Sequence, residues 1–102
     1  MEPANILYIE SLPEEWFDKD VVMLHACFQL LKDCIEKEKL LNGHIDWNAT
    51  KEEKAIKKEI EELYTWWINR DFTLEDKINE IQYHEDNEKL IRLIKIRGYL
   101  WT

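Results

Sequence analysis

Arg92, Lys95 and Arg97 place three cations in the last thirteen residues of a chain whose formal net charge is -8, and no acid lies among them. The segment reads LIRLIKIRGYLWT, so the cations are interspersed with eight large apolar or aromatic side chains. Guanidinium groups beside aromatic rings are suited to anion binding. Arg grips a phosphate or carboxylate through paired N–H donors, and a neighbouring ring stacks on a planar ligand. On a helical wheel Arg97 falls among Leu90, Leu93, Ile94 and Trp101, inside the apolar face, whereas Arg92 and Lys95 point away from it. A guanidinium buried there requires an anion. A carboxylate such as Asp33 or Glu36 is one source, a ligand a second, and a neighbouring subunit a third.

The five tryptophans are Trp16, Trp47, Trp66, Trp67 and Trp101. Trp67 and Trp101 read as core. Trp16, Trp47 and Trp66 fall at element ends or face edges and read as partly exposed, where indoles serve interfaces and stack on planar ligands. Trp16, Trp66 and Tyr99 are therefore the candidate stacking partners for an anion held by Arg92 or Arg97. His25 shares a narrow polar helix face with Gln29, Lys32 and Glu36 and joins the candidate ligand-binding set as a surface or interface histidine.

Catalytic and cofactor chemistry finds no pattern. The three histidines give no H-x-x-x-H or E-x-x-H spacing, and no C-x-x-C occurs, so no metal is expected. Only Gly43 and Gly98 are present, too few for a glycine-rich phosphate loop. Glu59 and Glu62 match the E-x-x-E half of the helical nucleotide pyrophosphohydrolase pattern, but no E-x-x-D follows them. Cys27 and Cys34 lie seven residues apart on one expected helix. That spacing separates their Cα atoms by about 10.5 Å, too far for a mutual disulfide. They read as small core hydrophobes in a reducing compartment. The sequence predicts a protein that is not an enzyme and carries no cofactor.

Twenty-two acids against fourteen bases disfavour nucleic-acid backbones and anionic membranes, both of which require a basic surface. No basic n-region or apolar h-region follows Met1, so no signal peptide is expected. No apolar run approaches the roughly 18 residues of a membrane span.

The elements that must position these residues are helical. Charged residues make up 35% of the chain and hydrophobic ones 45%, with only two Gly and two Pro, a helix-forming composition for one domain over residues 1–102. Residues 6–9 (ILYI) read as an edge strand or an extended arm. Ser11 with Glu14 and Pro13, or else Asp18 or Asp20, offers a helix start. Phe17, Val21, Leu24, Phe28, Leu31 and Ile35 predict a first helix over 18–39, with an apolar arc wide enough for several neighbours. Asn42-Gly43 ends it. Thr50 and Glu53 form a capping box for a second helix over 51–69, with Ile56, Ile60, Leu63, Tyr64 and Trp67 buried. Trp66 falls about 80° from that face. A third helix is expected from Thr73, with Leu74, Ile78 and Ile81 as its stripe. The pattern lapses over Gln82 to Lys89, read as a turn or a polar helical stretch. A final helix over 88–100 is expected to be the most buried element, with Gly98 allowing a bend or a close backbone approach.

Four blocks in combination carry a resemblance: LHACFQLLKDCIEKEK (24–39), IDW (45–47), EIEELYTWW (59–67) and LIRLIKIRGYLWT (90–102). Over residues 16–102 the chain resembles a family of small proteins encoded by tailed bacteriophages, in which a similar C-terminal LWT ending recurs. The resemblance implies a viral product acting in the host bacterial cytoplasm, and small phage proteins of this kind suggest counter-defence by binding.

The expected fold is all-α, a compact three- to four-helix bundle with a short N-terminal extended arm, assembled as a homo-oligomer because its apolar arcs exceed what one small domain covers. The expected function is non-enzymatic binding. One reading is a sponge that sequesters a small nucleotide-like signal. The alternatives are an acidic inhibitor of a host protein and a small virion component.

Overall fold

A computed structural model describes residues 6–42, 46–72 and 80–100. Among these residues there are three α-helices and no strand: α1 (Lys19–Glu36), α2 (Lys51–Asn69) and α3 (Glu80–Lys95). Short 3-10 turns follow α1 at Leu40–Asn42 and α3 at Arg97–Tyr99. The all-α expectation holds.

Each helix begins where local chemistry favours it. Asp18 holds the extended N-cap conformation before α1, and Asp20 lies in the first turn, complementing the helix dipole. The alternative start at Ser11 is not used, and residues 10–12 form a turn instead. Thr50 caps α2, its hydroxyl accepting the Glu53 N–H at 3.1 Å, with Glu52 and Glu53 in the first turn. The bounds expected for α2 are those observed. In α3 the charges follow the dipole, with Glu80 at the start and Arg92 and Lys95 at the end.

The core is Leu24, Phe28 and Leu31 of α1, Ile60, Leu63 and Trp67 of α2, and Leu93 and Ile96 at the end of α3, closed by Leu40 and Trp47. Phe28 stacks on Trp67 while Tyr64 reaches Glu36, so α1 and α2 are antiparallel. Trp66 bonds to Glu85, Arg92 to Glu59 and Tyr99 to Glu52, so α3 is antiparallel to α2 as well. α1 and α3 therefore run parallel, and Cys34 Sγ ends 4.0 Å from the Leu100 carbonyl.

Several expectations need correction. α1 stops at Glu36 and not at residue 39, because Lys39 adopts a positive φ of 55° and turns the chain. Leu40 is thereby buried, and its carbonyl accepts the Trp47 indole N–H at 3.3 Å, so Trp47 is core and not partly exposed. Residues 82–89 take the polar-helix alternative and not the turn, and they run without a break into Leu90 to Lys95, so the final helix is the second half of α3. That segment is not the most buried element: Ile91 and Ile94 are about half exposed. Ile81, expected in a buried stripe, is exposed. Gly98 makes no close approach, since a Cβ there would meet nothing within 4 Å. Residues 6–9 form no strand, but Leu7 and Ile9 are half-buried while Ile6 and Tyr8 are exposed, the alternation of an extended arm. Gly43, Thr73, Leu74, Ile78 and Trp101 lie outside the described residues.

Candidate binding surfaces

The residues expected to form one anion site do not converge. Arg97 is exposed, because the α-helix ends at Lys95 and the 100° step that aimed Arg97 inward no longer applies. Its expected partners are occupied elsewhere, Asp33 with Gln29 and Lys37, Glu36 with Tyr64. Arg92 is held between two carboxylates of α2: its Nε donates to both Glu59 oxygens at 3.1 Å, and Nη2 donates to Glu59 and to Glu62 Oε2, the latter at 2.8 Å. The E-x-x-E pair thus serves as an arginine clamp, and an incoming anion would meet two negative charges. Trp66 is half-buried, with its indole N–H donating to Glu85 at 2.5 Å. Tyr99 is half-buried and donates its hydroxyl to Glu52 at 3.2 Å.

His25 departs furthest from expectation, since it is 0% exposed. The polar face of α1 is covered by the N-terminal arm. Ser11 Oγ lies 2.7 Å from His25 Nδ1, the Glu10 N–H donates to Gln29 at 3.1 Å, and Lys32 bonds to Glu10 at 2.5 Å. The rings of Trp67 and Phe72 close over the imidazole from the other side. A face that reads as solvated is therefore an arm-docking seam. His25 is a structural residue here and not a surface ligand.

A buried ion pair among the described residues is one that sequence reasoning missed. Arg70 closes α2, and its Nε and Nη2 donate to the two carboxylate oxygens of Asp86 at 2.8 and 2.7 Å. The side chains are 3% and 10% exposed. Gln82 donates to Asp86 at 2.9 Å, and the guanidinium lies over Trp67 and Phe72 at 5.7 and 5.5 Å. A signal is present in the sequence: Ile60, Leu63, Trp67 and Arg70 keep a three-four-three spacing that carries the buried stripe of α2 onto Arg70.

Two surfaces remain available. One is a groove of about 160 Å³ between the first halves of α1 and α3, lined by Asp20, Met23, Leu24, Tyr83, Asn87 and Leu90. It is smaller than the ~300 Å³ lower bound of typical small-molecule sites, but it suits a single long side chain with an apolar shaft and a polar end. The other is the segment EEWFDKD (14–20), where Trp16 is 82% exposed among the exposed carboxylates of Glu14, Glu15, Asp18 and Asp20.

The electrostatics of the ion pairs predict a pH dependence. Hydrogen bonding to Arg92 lowers the Glu59 pKa below the ordinary 4.5, and bonding to Lys32 does the same for Glu10. A carboxylate whose folded pKa is depressed stabilises the fold fully above its unfolded pKa and loses that contribution as pH falls through the folded value. The contribution of these two carboxylates to the thermal midpoint should be constant on the alkaline side of 4.5 and should decline on acidification below it, as read by circular dichroism. Glu59→Gln should flatten the decline. Burial raises the Cys27 and Cys34 thiols above the ordinary range, so neither is an activated nucleophile.

Among the described residues no group of three His, Cys, Asp or Glu side chains is placed to share a metal ion, and no helix is long and apolar enough to cross a membrane. No protein family, curated protein or solved structure matches this chain.

Proposed function

We propose that this chain is a non-enzymatic, phage-type binding protein that covers a basic site on a host protein, and that it works as a homo-oligomer in the bacterial cytoplasm. Trp16 carries this reading. A large indole left 82% exposed has no role in the core. Exposed Trp is enriched among the few residues that dominate protein interfaces. The carboxylates around it supply long-range attraction to a basic partner and exclude acidic ones. The half-buried state of Trp66 and Tyr99, and the carboxylates on Arg92, leave the nucleotide-sponge reading with less support.

Affinity capture from a lysate of the bacterial host tests the proposal. The expected result is a stoichiometric basic protein, released at high salt and lost to Trp16→Ala, with affinity falling about 30-fold or more, as at interface hot spots. Capture indifferent to both salt and Trp16→Ala overturns it. Calorimetric heat with cyclic nucleotides at micromolar protein would favour the sponge instead.

A further inference from the structure

Five large apolar side chains on one side of the bundle are each between 49% and 56% exposed: Met23 and Leu30 of α1, and Tyr83, Ile91 and Ile94 of α3. They are not scattered. Met23, Cys27, Leu30 and Cys34 recur at spacings of four and three along one flank of α1. Tyr83, Asn87, Leu90 and Ile94 do the same along α3, with Ile91 at the edge of the stripe beside Leu90. Because α1 and α3 run parallel, the two stripes lie side by side, on the side away from α2. A contiguous apolar face of this kind on a chain that is 35% charged marks an interaction surface.

We infer that this face docks a second copy of the chain in a two-fold, antiparallel arrangement, with the basic end of each α3 lying over the acidic end of the other copy's α1–α3 groove. This deepens the oligomeric part of the proposed function and does not rest on Trp16. Charge selects the occupant. The groove end carries Asp20 and Glu80, and the opposite end carries Lys95 and Arg97. Among the described residues none of these four makes an ion pair. The face therefore keeps a net negative charge at one end, where Lys19 offsets part of Asp20 and Glu80, and a positive charge at the other. A two-fold axis across the helices superimposes opposite ends and forms each contact twice. A parallel arrangement would set Arg97 against Arg97.

The area suffices. Eighteen residues of α1 give a face about 27 Å long, and two packed helices give it a width of about 20 Å. The pair of faces then buries about 1,100 Å² in projection, before side-chain relief is added, at the lower edge of the ~1,200–2,000 Å² of specific interfaces. A dimer that dissociates in the micromolar range is expected.

Light scattering on the full chain across micromolar concentrations is the test. The wild type should pass from monomer to dimer as concentration rises through that range, and the Leu30→Asp, Ile94→Asp double variant should stay a monomer throughout. Circular dichroism should show that variant folded, because both side chains are already half exposed. Arg97→Asp should weaken the dimer about threefold to tenfold, from two weakened contacts each of surface-ion-pair strength. Adding Asp20→Arg should restore most of the loss. A monomeric wild type, or a dimer unchanged by Leu30→Asp with Ile94→Asp, overturns the inference. A charge exchange that fails to restore association overturns the antiparallel register. Trp16→Ala should leave the dimer intact, so failure here and failure of host-protein docking are separately visible.

Discussion

Asp86→Ala should destabilise the fold by about 3–5 kcal/mol, because it leaves the Arg70 guanidinium buried without its carboxylate. The pair is bidentate, with both bonds under 3 Å and the Arg70 side chain 3% exposed. The Coulomb attraction across it offsets a desolvation cost already incurred by two ions, so removing one ion takes away that attraction while the guanidinium stays desolvated. A domain of about 100 residues has ~5–15 kcal/mol of stability in all, and each kcal/mol shifts its thermal midpoint by about 4–8 °C. A drop of at least about 12 °C is the expected reading. Asp86→Asn should fall between, since the amide oxygen still accepts one bond. The paired change Arg70→Met with Asp86→Leu should recover most of the loss, since apolar side chains of similar volume remove the desolvation cost along with the attraction. A loss under about 1 kcal/mol in Asp86→Ala is the range of exposed pairs and would mean that the pair is solvated.

The helices were legible where cap chemistry and apolar period agreed. Thr50 and Glu53 fixed the start of α2, and the stripe of Ile60, Leu63 and Trp67 fixed its buried face. Three kinds of information were not local. The turn after α1 depends on Lys39 accepting a positive φ, a conformation that Gly43 advertised four residues later. The polar residues of α1 read as solvated because the arm that covers them lies more than ten residues upstream, and only its docking shows that His25 and Gln29 are interior. The run QYHEDNEK read as a lapse because it lacks an apolar stripe. Its helix is held partly by charge, with Asp86 facing Arg70 and Glu85 facing Trp66.

Arg97 and Arg70 show the same limit on the candidate site. A wheel is valid only while the helix continues. Extended beyond Lys95 it buries an arginine that is exposed, whereas Arg70, the C-cap residue just past the end of α2, keeps the direction of the buried stripe and is buried. Residue type alone does not separate the two, since both end helices on apolar stripes. The difference lies in what each meets, Asp86 for Arg70 and solvent for Arg97.

Trp67→Ala should be the most damaging single change in the chain, and its neighbour gives the control. Trp67 stacks on Phe28 at 4.8 Å and meets His25 and Phe72 edge-on at 4.9 and 4.8 Å, with Arg70 above its face. Truncation removes the common contact of α1, the end of α2 and Phe72, and opens a cavity that rigid neighbours cannot fill. Buried Trp→Ala changes cost about 3–5 kcal/mol. The upper end is expected here, because the aromatic pairs contribute beyond their buried area. Trp66→Ala removes an identical side chain one position away. That indole is half-buried, tilted against Phe28 at 5.2 Å and bonded to an exposed Glu85, so truncation leaves a surface notch open to water. A loss of about 1–2 kcal/mol is expected, in the ordinary range of single substitutions. Urea unfolding of both variants checks the pair. Equal losses would mean that the 100° step between the two positions does not separate core from edge, and the register of α2 against α1 would then have to be redrawn.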